Sequence, residues 1–358
     1  MDRLRPRPPL LLRRSTLASH DRSGSLRRYL LGRLAFAPVF LFLLLTLLFI
    51  LLRVMPGDPV SAALGDRISE AQLEARREAA GLNDPIVVQY GRYLAGVVTG
   101  NLGTPVTDPR TVTQIVFDLF PATFELTMFA MLVAVMVGVV VGAFGARHRD
   151  TPLDAGGRLF GILIYAAPVF WLGILAQLLF ANRWRLLPSG NRISARISFD
   201  DPTGFYLLDA VLTRDMTFFV DALEHLVLPG MTLGLVISGV FIRMVRVNML
   251  QTLRADYVEA AHARGVADRR VLFRHAFRNA LVPVVTIMGL QFALLLGGAI
   301  LTETTFSWPG LGQGLVEFIN TRDYAAVQGI VTFFALLVVV VSVLIDLVNG
   351  VIDPRVRY

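Results

Sequence analysis

All 34 basic residues of this chain are arginine, and cysteine is absent. Those two facts remove much of the chemistry a sequence can advertise. A GxxxxGK[ST] loop that cradles phosphates needs its lysine, so this chain has no P-loop and ATP, if used at all, is hydrolysed elsewhere. Without thiols there is no disulfide, no thiolate metal site and no cysteine nucleophile, and the redox compartment stays open. The five histidines, His20, His148, His225, His262 and His275, show no HExxH or other metal spacing. His262 and His275 read instead as parts of a packing surface. Two acids, Glu125 and Asp346, sit inside apolar runs, where ionisation is costly unless the group faces protein, water or an interface. Glu125 suits interhelical hydrogen bonding or direct ligand contact, and Asp346 an ion pair or interface. Glu303, followed by Phe306, Trp308 and Pro309, fits either a gate or an aromatic anchor and turn. No catalytic constellation emerges, and no metal or cofactor is expected on this chain.

The most informative stretch is 254–283, RADYVEAAHARGVADRRVLFRHAFRNALVP. It predicts a short helix from Asp256, a turn at Gly265 and a second helical run from about Asp268. Tyr257, Val258, Ala260 and Ala261 offer an apolar surface, while Arg254, Arg264, Arg269 and Arg270 stay polar. Such a segment either inserts into a groove on another protein or lies along a membrane as an amphipathic helix.

The elements that would position these residues are apolar. The 358 residues are 54% hydrophobic and 17% charged, with a mean hydropathy of +0.61. That is too apolar for ordinary soluble domains. Candidate spans lie at 30–52, 122–145, 159–181, 226–247, 279–301 and 328–350. Six spans of about 20 residues need roughly 120 residues, which the chain supplies easily. Arg243 and Arg246 enter the end of the fourth, where snorkelling to the interface would accommodate them. Five spans is the fallback count. Gly138 and Gly142 permit close helix contact through small-xxx-small spacing. Gly289, Gly297 and Gly298 mark a candidate pathway region.

Charge sets the expected orientation. From Arg243 through Arg278 there are eight arginines against three acids, whereas 302–327 has one arginine against three acids and 53–121 has six against eight. The arginine-rich side is cytoplasmic by the positive-inside rule, which puts both termini inside. The resulting organisation is a flexible cytoplasmic arm at 1–29, a span domain at 30–350 and a cytoplasmic tail at 351–358. The span domain contains an extracytoplasmic segment at 53–121 and a cytoplasmic loop at 248–278. Within 53–121, Met55 to Pro59 form a rigid turn, Ser69 caps a short helix over 69–80, Asn83-Asp84-Pro85 breaks the chain, and Val87–Val98 forms another helix. This segment is either a lid and partner platform or packing over the span ends.

Here the chain resembles a known family. Glu259-Ala260-Ala261, with Gly265 four positions later, resembles the EAA loop of ABC-importer permeases. Asp256-Tyr257-Val258, Arg274-His275-Ala276 and Arg278-Asn279-Ala280-Leu281-Val282-Pro283 are closest to the DppB/OppB-like permeases of dipeptide, oligopeptide and nickel importers. Met55-Pro56-Gly57-Asp58-Pro59, Gly100-Asn101-Leu102-Gly103, Pro121 to Leu126, Glu303 to Gly312 and Asp353-Pro354-Arg355 follow in family order. The likeness runs from about residue 26 to the end. Phe277-Arg278 departs from the looser Leu-Pro pattern of all permeases, which narrows the subfamily.

The resemblance implies an all-α polytopic membrane protein with a six-helix permease core and a cytoplasmic coupling-helix loop. Asp256, Tyr257, Glu259, Ala260, Ala261, Gly265 and Arg269 would couple to an ATPase, and Glu125, Gly289, Glu303, Phe306 and Trp308 are the pathway or gate candidates. Implied partners are a homologous second permease, two cytoplasmic ATPases using ATP and Mg, an extracytoplasmic binding protein, a peptide substrate and membrane lipids. The implied location is a bacterial or archaeal plasma membrane. Nickel or another small solute is the alternative cargo, and an ATP-independent scaffold or secondary transporter the alternative class.

Overall fold

The computed structural model describes residues 22–54, 59–64, 69–197, 199–267, 270–271 and 276–352. The arm up to residue 21, most of the Met55–Pro59 turn, Asp268, Arg269, His275 and the tail from Asp353 lie outside the described residues. Among the described residues every regular element is helical.

Helix α1 (Arg22–Val54) begins eight residues before the predicted span, with no proline between Arg22 and Leu30 to break it. Three short helices follow: α2 (Pro59–Leu64), α3 (Glu70–Ala79) and α4 (Ile86–Thr99). Ser69 caps α3 as its sequence suggests, its hydroxyl accepting from the Gln72 N–H while the Gln72 side chain accepts from Ser69 N–H. Helix α4 is held across the bundle at two points. Tyr90 OH lies 2.5 Å from Thr46 Oγ1 of α1, and Tyr93 OH lies 2.7 Å from Thr332 Oγ1.

The centre is a pair of long helices, α5 (Val112–Arg147) and α9 (Met216–Leu253), each starting ten residues before its predicted span. At 36 and 38 residues they run about 54 and 57 Å, well beyond a hydrocarbon core of about 30 Å. A Thr111–Gln114 capping box starts α5, and the Asp215 carboxylate accepts from Phe218 N–H at 2.9 Å to start α9. Glycine lets them approach: a Cβ on Gly138 would run into Phe241, and one on Gly142 would stand 2.8 Å from the Ile242 carbonyl oxygen.

Between them in sequence lie α6 (Pro152–Ala166), α7 (Val169–Ala176) with a π-helical turn at Gln177–Arg183, and α8 (Tyr206–Thr213). The third predicted span is therefore broken. Pro168 forces Ala167 out of the helical region, and the two halves are bent by 101°. The chain closes with a turn at Arg278–Ala280 and α11 (Val282–Gly298), α12 (Ile300–Thr305), α13 (Leu311–Asn320) and α14 (Tyr324–Ile352). Helix α10 (Asp256–Ala263) belongs to the candidate site below. Among the described residues four helices are long and apolar enough to cross a membrane, or five if α6 and α7 count as one broken span. The fifth predicted span gives α11, whose 17 residues rise about 26 Å, short of a full crossing.

Arg246 does not snorkel as expected. Its Nε and Nη2 donate to Asp154 Oδ1 and Oδ2 at 2.6 and 2.7 Å, and the Asp154 side chain is fully buried. Asp154 stands in the first turn of α6, so a buried bidentate pair, and not the interface, accommodates this arginine. Another acid, Asp323, accepts from Val106 N–H, Thr107 N–H and Thr107 Oγ1 at 2.6, 2.7 and 2.9 Å, tying the segment before α5 to the start of α14.

Candidate functional site

Arg254 and Ala255 join helix α10 to the end of α9. It ends in a Schellman motif: Val266 N–H donates to Ala261 O at 3.1 Å and Gly265 N–H to His262 O at 2.9 Å. Gly265 takes the left-handed conformation that this motif requires, with φ +73°. The accompanying apolar contact is present, because Val266 packs on buried Val258, Ala261 and Val271.

The apolar surface expected of this segment is thus divided. Val258 and Ala261 turn inward and cluster with Val271, whereas Asp256, Tyr257, Glu259, Ala260 and Gly265 are exposed. Asp256 and Glu259 stand in the first turn of α10, where acids complement the helix dipole. Tyr257 OH accepts from Asn279 Nδ2 at 3.0 Å, bracing α10 against the turn that precedes α11. The exposed face is a short, braced projection with an acidic leading edge. Arg269 lies outside the described residues.

The pathway candidates fall in three places. Gly289 is a contact point, since a Cβ there would run into Ile345 of α14. Glu125 is nearly buried and engaged: Arg192 Nη2 donates to its Oε2 at 2.6 Å, and Leu207 N–H to its Oε1 at 2.9 Å. Arg192 in turn lies 3.6 Å from the Tyr206 ring centre and donates to Gly204 O at 2.7 Å.

Glu303, Phe306 and Trp308 are all interior, at 0%, 1% and 1% exposure, so Trp308 is not an interface anchor. Thr123 Oγ1 donates to Glu303 Oε1 at 2.7 Å and Gln313 N–H to its Oε2 at 3.0 Å. Thr123 also accepts from Leu311 N–H at 2.8 Å, and Trp308 Nε1 donates to Ala122 O at 2.9 Å. The carboxylate is seated at the N-terminus of α13, and Gly310 and Gly312 admit it: a Cβ on either would stand 2.6 or 2.8 Å from its atoms. Glu303 lies beyond the fifth apolar segment. Burial pushes its carboxyl above the usual range, against the hydrogen bonds from Thr123 and the backbone of Gln313 and Gly312. The niche locks α5, α12 and α13 together.

Arg192, Thr123, Asp154 and Asp323 were not singled out from the sequence. A signal existed for two. An acid inside an apolar run implies a cation to find, which is Arg192, and Thr151-Pro152 followed by Asp154 carries a helix-start signature. Among the described residues no group of three or more His, Asp or Glu side chains could hold a metal ion.

Residues 26–127 match the model for the N-terminal part of the binding-protein-dependent transport system membrane component. Residues 134–358 match that for the binding-protein-dependent transport system inner membrane component. The di/tripeptide transport system permease protein DppB of Pseudomonas aeruginosa is 40% identical over 313 residues, covering 87% of this chain and 93% of the relative. The dipeptide transport system permease protein DppB of Escherichia coli K12 is 39% identical over 336 residues, covering 92% and 99%. The probable D,D-dipeptide transport system permease protein DdpB of the same organism is 39% identical over 311 residues, covering 86% and 91%. With most of its length matched, this all-helical membrane chain belongs to the family of binding-protein-dependent transport system inner membrane components.

Proposed function

We propose that this chain is one membrane subunit of an ATP-driven peptide importer, forming half of the translocation pathway and transmitting the work of cytoplasmic ATPases to it. The observation that carries the reading is 39–40% identity, over most of the chain, to permeases named for di- and tripeptide or dipeptide transport. The chain itself is non-catalytic. ATP and Mg belong to two ATPase subunits, a homologous permease supplies the other half of the path, and an extracytoplasmic binding protein delivers the peptide. The setting is a bacterial or archaeal plasma membrane, with the arginine-rich side and both termini cytoplasmic. In this reading the core has six membrane segments, the third broken at Pro168 and the fifth formed by the shorter α11.

Coupling is mechanical. The exposed face of α10, with Asp256, Tyr257, Glu259, Ala260 and Gly265, docks on an ATPase, and Ala261 holds the fold of that face from within. Arg269 belongs to the same segment. A push on α10 reaches α9 through two residues, and α9 carries it along its length to α5 through the glycine contacts. ATP-driven closure of the ATPases favours an outward-open permease pair, and hydrolysis restores inward access. Glu125, Gly289, Glu303, Phe306 and Trp308 position the helices that line the path.

The test is dipeptide uptake into proteoliposomes holding the assembled complex, with binding protein outside and ATP inside. ATP-dependent uptake is expected. Binding-protein-stimulated ATP turnover without peptide uptake would redirect the cargo to nickel or another small solute. Uptake without any ATPase would mean a secondary carrier.

A further inference from the structure

A groove of about 640 Å³ runs along the crossing of α6 and α9, and no pathway candidate borders it. One end is cationic, formed by Arg158, Arg243 and Arg246, and the rest is lined by apolar side chains such as Ile162 and Val240, with Tyr165 beside them. Arg246 is committed to Asp154, while Arg158 Nε reaches the same carboxylate only at 3.9 Å. Arg243 is exposed and has no ion-pair partner among the described residues. Three guanidinium groups against one carboxylate leave a surplus of two positive charges at the groove end.

The two helices run antiparallel here, since Gly161 meets Ile242 and Gly239 meets Gly161 and Tyr165. From Arg158 to Ala166 the apolar floor is therefore about 12 Å long. Its outer flank is also apolar: Leu159, Ile162 and Leu163 are 57%, 65% and 61% exposed.

We infer that this groove binds an anionic phospholipid, its phosphate between Arg158 and Arg243 and the upper part of one acyl chain along Ile162, Tyr165 and Val240. Three features select this occupant. The surplus charge matches a phosphodiester, basic pockets between membrane helices bind anionic head groups, and the remaining lining suits an alkyl chain. A peptide laid along the same floor would leave its backbone N–H and C=O groups facing apolar side chains, at a cost the groove does not offset.

The test uses the full chain with its co-purifying subunits in nanodiscs of phosphatidylglycerol and phosphatidylethanolamine, followed by native mass spectrometry of retained lipid. Retained phosphatidylglycerol is expected, weakened roughly 20- to 30-fold by the pair Arg158→Gln and Arg243→Gln. Ile162→Trp, which fills the groove and leaves every charge in place, should displace the lipid as well. Because Ile162 is largely exposed, this variant tests the site even if the arginine pair disturbs assembly. Equal retention in wild type and variants overturns the inference, and so does equal retention of phosphatidylethanolamine. The chain has no cysteine of its own, so cross-linking of Ile162→Cys to another subunit would show a protein interface and overturn it too. None of these readouts depends on what the complex transports.

Discussion

Replacing Gly265 separates backbone conformation from side-chain bulk at the tip of α10. A Cβ on Gly265 meets nothing within 4 Å among the described residues, so against these alanine is penalised only by the left-handed backbone. That cost is about 1–2 kcal/mol, which multiplies the fraction of molecules with an undone helix end roughly five- to thirtyfold. Asparagine tolerates the same conformation better and should fall between glycine and alanine. Proline fixes φ near −65°, against the +73° found here, deletes the N–H that donates to His262 O and disfavours the ψ of 5° that Arg264 holds, costing about 3 kcal/mol or more. The assay is the ratio of peptide imported to ATP hydrolysed in complexes of verified stoichiometry. The expected order is Gly265, Gly265→Asn, Gly265→Ala and Gly265→Pro, with proline near zero. An asparagine variant worse than alanine would refute the backbone argument and point to a clash of side-chain volume with a partner. Proline indistinguishable from wild type in an assembled complex would refute the coupling role.

Other expectations rest on buried polar pairs and close helix contacts. Arg246→Leu should destabilise the purified protein by about 3–5 kcal/mol by leaving the buried Asp154 without its bidentate partner, with Arg246→Leu/Asp154→Ala recovering much of the loss; a double-mutant cycle with both single variants in thermal unfolding measures this. Glu303→Ala leaves the Thr123 hydroxyl and the Gln313 N–H without their acceptor and should cost about 2–3 kcal/mol, more than Glu303→Gln, in the same unfolding assay. Gly142→Val drives side-chain atoms into Ile242 and Val245 and should lower thermal stability by about 1–3 kcal/mol, whereas Gly297→Ala, with open space around it, should change stability little.

What was legible in the sequence was local. The Ser69 start of α3, the break before α4 and the Gly265 turn each depend on residues within one or two turns, and each appears where its residue types suggest. Each apolar run falls in helix, but the third is broken at Pro168, the fifth yields a helix too short for a full crossing, and α5 and α9 begin ten residues before their runs. Pairings between distant segments were not legible. Asp154 and Arg246 are 92 residues apart, Glu125 and Arg192 67. In a linear reading such an arginine looks like a snorkel and such an acid like a ligand group. Trp308 follows the same logic. Its position just beyond an apolar run suggests an interface, yet the Ala122 carbonyl on α5 takes its N–H and the fold closes over it. The apolar surface read from Tyr257, Val258, Ala260 and Ala261 was half right, since helical geometry turns alternate members to opposite faces.

We propose that the exposed face of α10 is the contact through which an ATPase moves α9. Ala260 is the residue on which to measure it: exposed, small, and in a chain free of cysteine. With Ala260→Cys in the assembled complex, site-directed cross-linking should join this chain to an ATPase subunit, with an efficiency that changes between nucleotide-free and ATP-trapped states. Cross-links that form only to lipid or to the second permease, or an ATPase cross-link indifferent to nucleotide, would contradict it.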